Sequence, residues 1–268
     1  MGKIGIAGCG RMGQPMLQAL LDAGFDAQGF DVKPRDSYGP FARYMAASPD
    51  VFAEDLTVLI TVVRDIAQTD EVLFTGQALV RAAPQLSRIV ISSTLSPKYV
   101  RALRARIPER IALIDAPMSG AAIAAKEKRL SFMLGGEVDD IAASQPQLDA
   151  MGAHFHHMGG FGAGMAAKVL NNLVAASSTA ATRLALEWAD TLGIDEHRLL
   201  ALMHTSSGQT WFGSHFDNIE FARDGFRPDN TIGILKKDVE SAMDGAPEGA
   251  DMTLPESLIR AIERLKPR

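Results

Sequence analysis

Between Lys3 and about residue 158, short β-rich runs alternate with helical stretches, and from Gly162 onward the β-rich runs stop. "KIGIAG", "AQGFDV", "LTVLITVV", "RIVISS", "IALIDAP" and "LSFMLGG" read as strands, with helical segments at 64–73, 96–106 and 137–151 between or after them. Strands separated by helices are joined by crossovers, so the pattern specifies a largely parallel, doubly wound sheet. Beyond it, "GMAAKVLNNLVAASSTAATRLALEWADTLG" is apolar at three- and four-residue intervals as far as Gly193. Further helical segments fall at 195–204, 211–223, 230–244 and 255–266, so the second part reads as all helical. A helix of about 30 residues exceeds what a compact domain usually needs, and part of it is expected to pack on a second subunit.

The first strand runs into "GCGRMG", three glycines at the spacing G-x-G-x-x-G, although glycine weakens both strands and helices. A strand-to-helix turn lying against a pyrophosphate explains the spacing. Gly8 makes the turn, Gly10 removes a side chain where phosphate oxygens approach, and Gly13 lets the helix pack closely on the strand. A helix beginning near Arg11 points its free N–H groups at the anion. Gly8, Gly10, Arg11, Met12 and Gly13 are therefore assigned to a dinucleotide. The second strand ends in Asp31, about twenty residues past the glycines, where a carboxylate accepts hydrogen bonds from an adenosine ribose. Its charge favours NAD, while Lys33 and Arg35 lie close enough in sequence to contact the 2'-phosphate of NADP. The expected fold is α/β: a Rossmann-type doubly wound parallel sheet over 1–161 and an all-helical domain over 162–268. Cys9, inside the loop, reads as a small turn residue, with redox sensing as the alternative.

Composition narrows the rest. With 22% charged residues and a net charge of −5, the chain has no basic footprint for nucleic acid or an anionic membrane surface. No apolar run reaches the ~18 residues of a membrane span. The amino terminus passes directly into the first strand, and there is a single cysteine. Both point to a cytoplasmic protein without a signal peptide.

Three segments carry candidate chemistry. "DAPMSGAAIAA", from Asp115, follows a strand whose carboxyl end faces the cofactor crevice; its small residues leave N–H groups and the Ser119 hydroxyl free to hold a carboxylate. A helix-initiating loop would look the same. In "GAGMAAKVLNN", Lys168, Asn171 and Asn172 fall at i, i+3 and i+4 and share a helix face. A lysine among Ala, Val and Leu is either a snorkelling surface residue or a buried amine. Burial disfavours the ammonium, as a general base near neutral pH requires. In "LKKDVESA", Lys237 precedes Asp238 on a helical segment, a pattern most often found on a solvated face. "HFHH" places His154 and His156 on one face of a strand, but without a carboxylate or cysteine cluster, so no metal site is assigned. The charged run from Lys126 to Arg129 reads as a solvated turn.

Taken in order, "GCGRMG", "SSTLSP", "DAPMSGA", "GAGMAAKVLNN" and "KKDVESA" resemble the β-hydroxyacid dehydrogenase family over nearly the whole chain. The resemblance implies that Lys168 is the catalytic lysine, that Asn172 positions substrate, and that Ser119 and Gly120 bind the substrate carboxylate. It places Thr94 and Lys237 beside the cofactor. There are departures: the family usually has glycine where Ala121, Ala124 and Lys128 stand and often Asp where Ser92 stands, and "ERLKPR" stops short of the family's usual end. A Cβ at 121 narrows the backbone choices there. The presence of Lys168 favours alcohol and carbonyl chemistry over imine reduction.

The function expected is hydride transfer between NAD and a small 3-hydroxy acid, 3-hydroxyisobutyrate-like, and its semialdehyde or keto form, with NADP as the alternative cofactor. An NADPH-dependent semialdehyde reductase and a non-catalytic NAD(P)-binding regulator are the competing readings. The partners expected are the small substrate and further copies of the chain, as a dimer or tetramer, with neither nucleic acid nor membrane.

Overall fold

The computed structural model describes residues 2–268. In chain order it builds β1 (Lys3–Ala7), α1 (Gly13–Asp22), β2 (Ala27–Phe30), a 3-10 segment (Arg35–Tyr44), α2 (Pro49–Ala53), β3 (Leu56–Thr61), α3 (Ile66–Leu73), α4 (Leu79–Ala82) and β4 (Arg88–Ile91). Then come α5 (Pro97–Arg106), β5 (Ala112–Asp115), β6 (Met118–Ser119), α6 (Ala121–Lys126), β7 (Leu130–Gly135), α7 (Val138–Met151) and β8 (Gly152–Gly159). The remainder is helical: α8 (Ala163–Leu192), α9 (Glu196–His204), α10 (Trp211–Ser214), a 3-10 turn (Phe216–Asn218), α11 (Thr231–Asp244) and α12 (Thr253–Glu263). Two compact units result, Met1–Lys168 and Val169–Arg268, with the division inside α8. The boundary expected from sequence, at 161/162, lies just before that helix begins.

In the first unit the sheet order is β2-β1-β3-β4-β5-β7-β6, with β8 on β7. Strands β2, β1, β3, β4 and β5 are parallel, giving the Rossmann-type sheet expected from sequence. The order reverses between β1 and β3, and a crevice at the carboxyl ends of such strands is where ligands bind in open α/β sheets. Both faces are covered. One core joins Ile4, Ile6, Met16, Leu17, Leu20, Phe132 and Leu148, so α1 and α7 share a face. The other joins Phe52, Leu59, Leu73, Leu79, Ile89, Val100 and Leu103, so α2 to α5 cover the opposite one. The far edge departs from the parallel pattern: β7 runs antiparallel to β5 and β6. Its tie to β5 is the single pair Asp115↔Gly135.

Helix starts follow local chemistry. Ser48, Asp65 and Ser96 cap α2, α3 and α5 by accepting N–H bonds from their first turns, and Asp195 and Asn230 do the same for α9 and α11. In the second unit Ala176, Ala180, Ile232, Val239, Leu258 and Ile262 form one core, while Leu186, Leu200, Phe212, Phe216 and Ala222 form another. The single helix expected over 211–223 is instead α10 followed by a 3-10 turn. Phe212 and Phe216 pack edge to face at 5.6 Å in that second core, so aromatic packing sets the local path.

Candidate active site

Two glycines of the first loop, Gly8 and Gly13, have a geometric cause within the protein. Gly8 has φ +94°, and a Cβ there lies 2.7 Å from the Val62 carbonyl oxygen, so the loop after β1 is pressed against the loop after β3. A Cβ on Gly13 falls 1.9 Å from the Gly8 carbonyl oxygen, so α1 starts against the loop's own backbone. Gly10 is different. A Cβ there meets no atom within 4 Å, so nothing in the protein requires glycine at this position. Open space over a bare backbone, at the switch point and beside the start of a helix, fits a pyrophosphate. The helix proper begins at Gly13 rather than near Arg11, with Gln14 N–H donating to the Gly10 carbonyl at 3.1 Å. Arg11 is exposed and Met12 half-buried.

Asp31 follows β2, and its carboxylate accepts the Lys33 N–H at 3.0 Å. Arg35 donates from Nε to the Ala42 carbonyl at 2.8 Å, which ties its guanidinium within its own 3-10 segment. Tyr38 faces Asp31: burial first, then that carboxylate's charge, raises the phenol above its ordinary range. Cys9 is buried, and a Cβ on Gly29 would sit 2.6 Å from its sulfur. Burial, then the charge of Asp31, pushes its thiol up to about 12, which makes it a packing residue rather than a redox sensor.

After β4, Ser92 and Ser93 are buried and Thr94 half-buried, and the next residue, Leu95, donates its N–H to the Met165 sulfur at 3.3 Å. This joins the Thr94 segment to the first turn of α8. Asp115, at the end of β5, is fully buried; one carboxylate oxygen accepts the Gly162 N–H at 2.7 Å and the other accepts the Met165 N–H at 2.5 Å. Burial raises its carboxyl above the ordinary value, and those two N–H groups hold it partly down. Lys168 follows Met165 by three residues and is buried at 7% exposure. The sequence left a surface lysine and a buried one open, and the residue is buried.

Ser119 lies half-buried at the end of β6, opposite Ser131 of β7, and Gly120 follows with φ +132°. The next residue, Ala121, has φ +54°, and Lys128 has φ +57°. Two of the three departures from glycine, Ala121 and Lys128, thus occupy left-handed backbone that glycine takes without cost, whereas Ala124 lies within α6 with no positive φ.

In the second unit Asn172 is half-buried and donates from Nδ2 to the Asp238 carboxylate at 2.6 Å, while Asn171 is exposed and donates from its own Nδ2 to the Asn172 side-chain Oδ1 at 3.2 Å. Lys237 Nζ lies 3.1 Å from the other Asp238 oxygen, and Asp238 is 4% exposed. The pair is therefore part of a polar cluster, not a solvated face. Sequence reasoning overlooked both Asp115 and Asp238 as site residues. Of the other motifs, the histidines of "HFHH" lie along β8, and among the described residues no group of three or more His, Cys, Asp or Glu is placed to hold a metal ion. Among the described residues no helix is long and apolar enough to cross a membrane.

Residues 3–160 match the family described as the NAD binding domain of 6-phosphogluconate dehydrogenase, and residues 162–264 match the one described as NAD-binding of NADP-dependent 3-hydroxyisobutyrate dehydrogenase. The chain is 29% identical over 272 residues to the mitochondrial 3-hydroxyisobutyrate dehydrogenase of Homo sapiens, spanning 98% of this chain and 81% of that protein. It is 28% identical over 250 residues to the L-threonate dehydrogenase of Cupriavidus necator, spanning 91% and 83%. The structure of the Mycobacterium tuberculosis 3-hydroxyisobutyrate dehydrogenase with L-serine superposes with a TM-score of 0.83 at 28% identity, covering 99% of this chain and 96% of that one.

Proposed function

Since the chain belongs to the β-hydroxyacid dehydrogenase family and is an NAD(P)-dependent hydroxyacid dehydrogenase, we propose that it interconverts a small 3-hydroxy acid and its semialdehyde or keto form with Lys168 as general acid–base. The observation that carries this reading is the burial of Lys168 on α8, one turn ahead of an asparagine whose amide is held by a buried aspartate. An alcohol is too weak an acid to lose its proton unaided at neutral pH. Lys168 Nζ accepts the hydroxyl proton as the C–O bond becomes a carbonyl, and its ammonium returns that proton in the reverse direction. NAD(P), when bound, supplies the two-electron acceptor or donor for the carbinol carbon. The Ser119 hydroxyl and the N–H groups around Gly120 hold the substrate carboxylate. Asn172 orients the substrate, its own Nδ2 being fixed on Asp238.

Residues 1–161 are assigned to the cofactor and 162–268 to substrate and assembly. Gly8, Gly10, Arg11, Met12 and Gly13 hold the pyrophosphate; Thr94 and Lys237 complete the cofactor contacts. Asp31 favours NAD, because a 2'-phosphate would meet its charge and Arg35 is engaged with Ala42. The exposed Leu184, Trp188 and Leu192 repeat every four residues along α8 and suit a second copy of the chain. The substrate relatives point to a hydroxy acid of 3-hydroxyisobutyrate or threonate size. The test is a panel of short hydroxy acids, their aldehydes and their methyl esters, followed by the absorbance of the reduced cofactor. Turnover of 3-hydroxy acids with NAD and poor turnover of the esters are expected. Equal specificity constants for an acid and its ester would remove Ser119 and Gly120 from carboxylate binding, and no turnover of any 3-hydroxy acid would overturn the substrate class.

A further inference from the structure

The first turn of α8 is capped from a distance. A helix leaves its first N–H groups without partners, and a Ser, Thr, Asp or Asn at the preceding position ordinarily accepts one of them. Here that position is Gly162, which has no side chain and has φ +91°. Asp115, 47 and 50 residues earlier in the chain, accepts from Gly162 N–H and Met165 N–H with its two oxygens. One carboxylate thus satisfies both donors that a capping box serves with two side chains, and its negative charge sits at the positive end of the helix.

The neighbouring backbone is shaped around this contact. A Cβ on Gly135, the β7 partner of Asp115, would lie 2.2 Å from the carboxylate and 2.8 Å from the Gly164 nitrogen. A Cβ on Gly164 would lie 2.3 Å from the Met133 carbonyl oxygen, so the turn rests on β7. Leu95 N–H on the Met165 sulfur adds a third tie, from the loop after β4. Lys168 comes one helical turn later and is the last residue of the first compact unit.

We propose that Asp115 is a positioning residue: by capping α8 from the end of β5, it registers the Lys168 amine to the dinucleotide-binding unit. The inference rests on the reading of Lys168 as the acid–base group. Lys168 lies on α8 one turn beyond the capped residues and within the same compact unit as Asp115. Tied through Asp115 to the carboxyl ends of the sheet, it keeps its place where cofactor and substrate react. Asp115 touches neither of them and acts through the first turn of α8.

The test is a four-member cycle of wild type, Asp115→Asn, Lys168→Ala and the double variant, with kcat, KM for the hydroxy acid, NADH binding by fluorescence and thermal melting for each. Asparagine keeps the size of the side chain but turns one acceptor into a donor facing an N–H group. Misplacing a reacting group by about 1 Å costs up to about 100-fold, so Asp115→Asn is expected to lower kcat by about 10- to 100-fold with NADH binding and KM little changed. On the Lys168→Ala background the same change should cost less than about twofold, because a path through the lysine is already closed. Gly135→Ala, which crowds the carboxylate without altering it, should reproduce the loss. A wild-type kcat in Asp115→Asn beside an inactive Lys168→Ala overturns the positioning role alone, as does a loss that multiplies fully in the double variant. A variant that loses cooperative melting and NADH binding together also overturns it, since Asp115 then holds the unit rather than the lysine. Normal turnover in Lys168→Ala overturns the reading of the lysine itself, and is seen without reference to Asp115.

Discussion

Gly10 and Gly13 belong to one motif, yet alanine at each should fail for opposite reasons. At Gly13 the new Cβ falls 1.9 Å from a backbone oxygen, which a rotamer change cannot relieve. Overpacking of this kind costs up to about 3 kcal/mol, and alanine returns about 1 kcal/mol in helix propensity. The net loss of about 2 kcal/mol corresponds to a fall of about 4–8 °C in Tm for a chain of this size. At Gly10 the Cβ meets nothing within 4 Å, so stability should stay within about 1 kcal/mol of wild type. What it occupies is the space assigned to the pyrophosphate. A hydrogen bond to a charged oxygen is worth about 1.5–3 kcal/mol, so displacing one weakens NADH binding by about 10- to 100-fold. Melting curves and NADH fluorescence titrations on both variants separate the two effects. Wild-type NADH affinity in Gly10→Ala would refute the placement of the phosphates, and an unchanged Tm in Gly13→Ala would refute the steric account of the loop.

Three further outcomes are expected. Asp31→Ser should shift the ratio of kcat/KM for NAD over NADP toward NADP; a wild-type protein that already binds NADPH more tightly than NADH contradicts the role given to Asp31. Ala121→Gly together with Lys128→Gly should raise Tm by about 2–4 °C, since relief of two left-handed residues at about 1–2 kcal/mol each exceeds the added freedom of the unfolded chain, and a fall in Tm contradicts this. Arg268 bonds Asp190 at 2.7 Å and also pairs with Glu196, which Arg223 contacts as well. The bond to Arg268 holds the Asp190 carboxyl below its ordinary value, and for Glu196 the bonds to Arg223 and Arg268 outweigh the upward push of burial. Depressed carboxyls stabilise the fold above their unfolded values and lose that contribution as pH falls through the folded ones. Arg268→Ala should therefore lower the denaturant midpoint at neutral pH and progressively less as pH falls through the depressed carboxyls; a gap in denaturant midpoint that persists undiminished into acid contradicts the pairing.

The parts of this fold that sequence made legible are those whose causes are local. The glycine loop is one, because a positive φ at Gly8 and a close approach at Gly13 restrict each residue where it stands. The break between alternating elements and α8 is another, since a change of hydrophobic period marks it. Asp115 was opaque for the opposite reason: its meaning lies in N–H groups 47 and 50 residues away and in a glycine on an antiparallel strand that no local pattern announces. Asp238 looked like half of a solvated pair with Lys237, and only Asn172, 66 residues earlier, shows why it is buried. The aromatic packing of Phe212 and Phe216 likewise overrode a helical pattern across 211–223.

The central claim is that the amine of the buried Lys168 moves the proton while the rest of the chain holds cofactor and substrate. Steady-state turnover of Lys168→Ala and Lys168→Arg, with NADH binding measured on the same preparations, tests it most directly. Turnover is expected to fall by about 100-fold or more in Lys168→Ala with NADH affinity and melting intact. Lys168→Arg should do little better, because a guanidinium does not release its proton near neutral pH. Near-normal turnover in Lys168→Ala contradicts the claim outright.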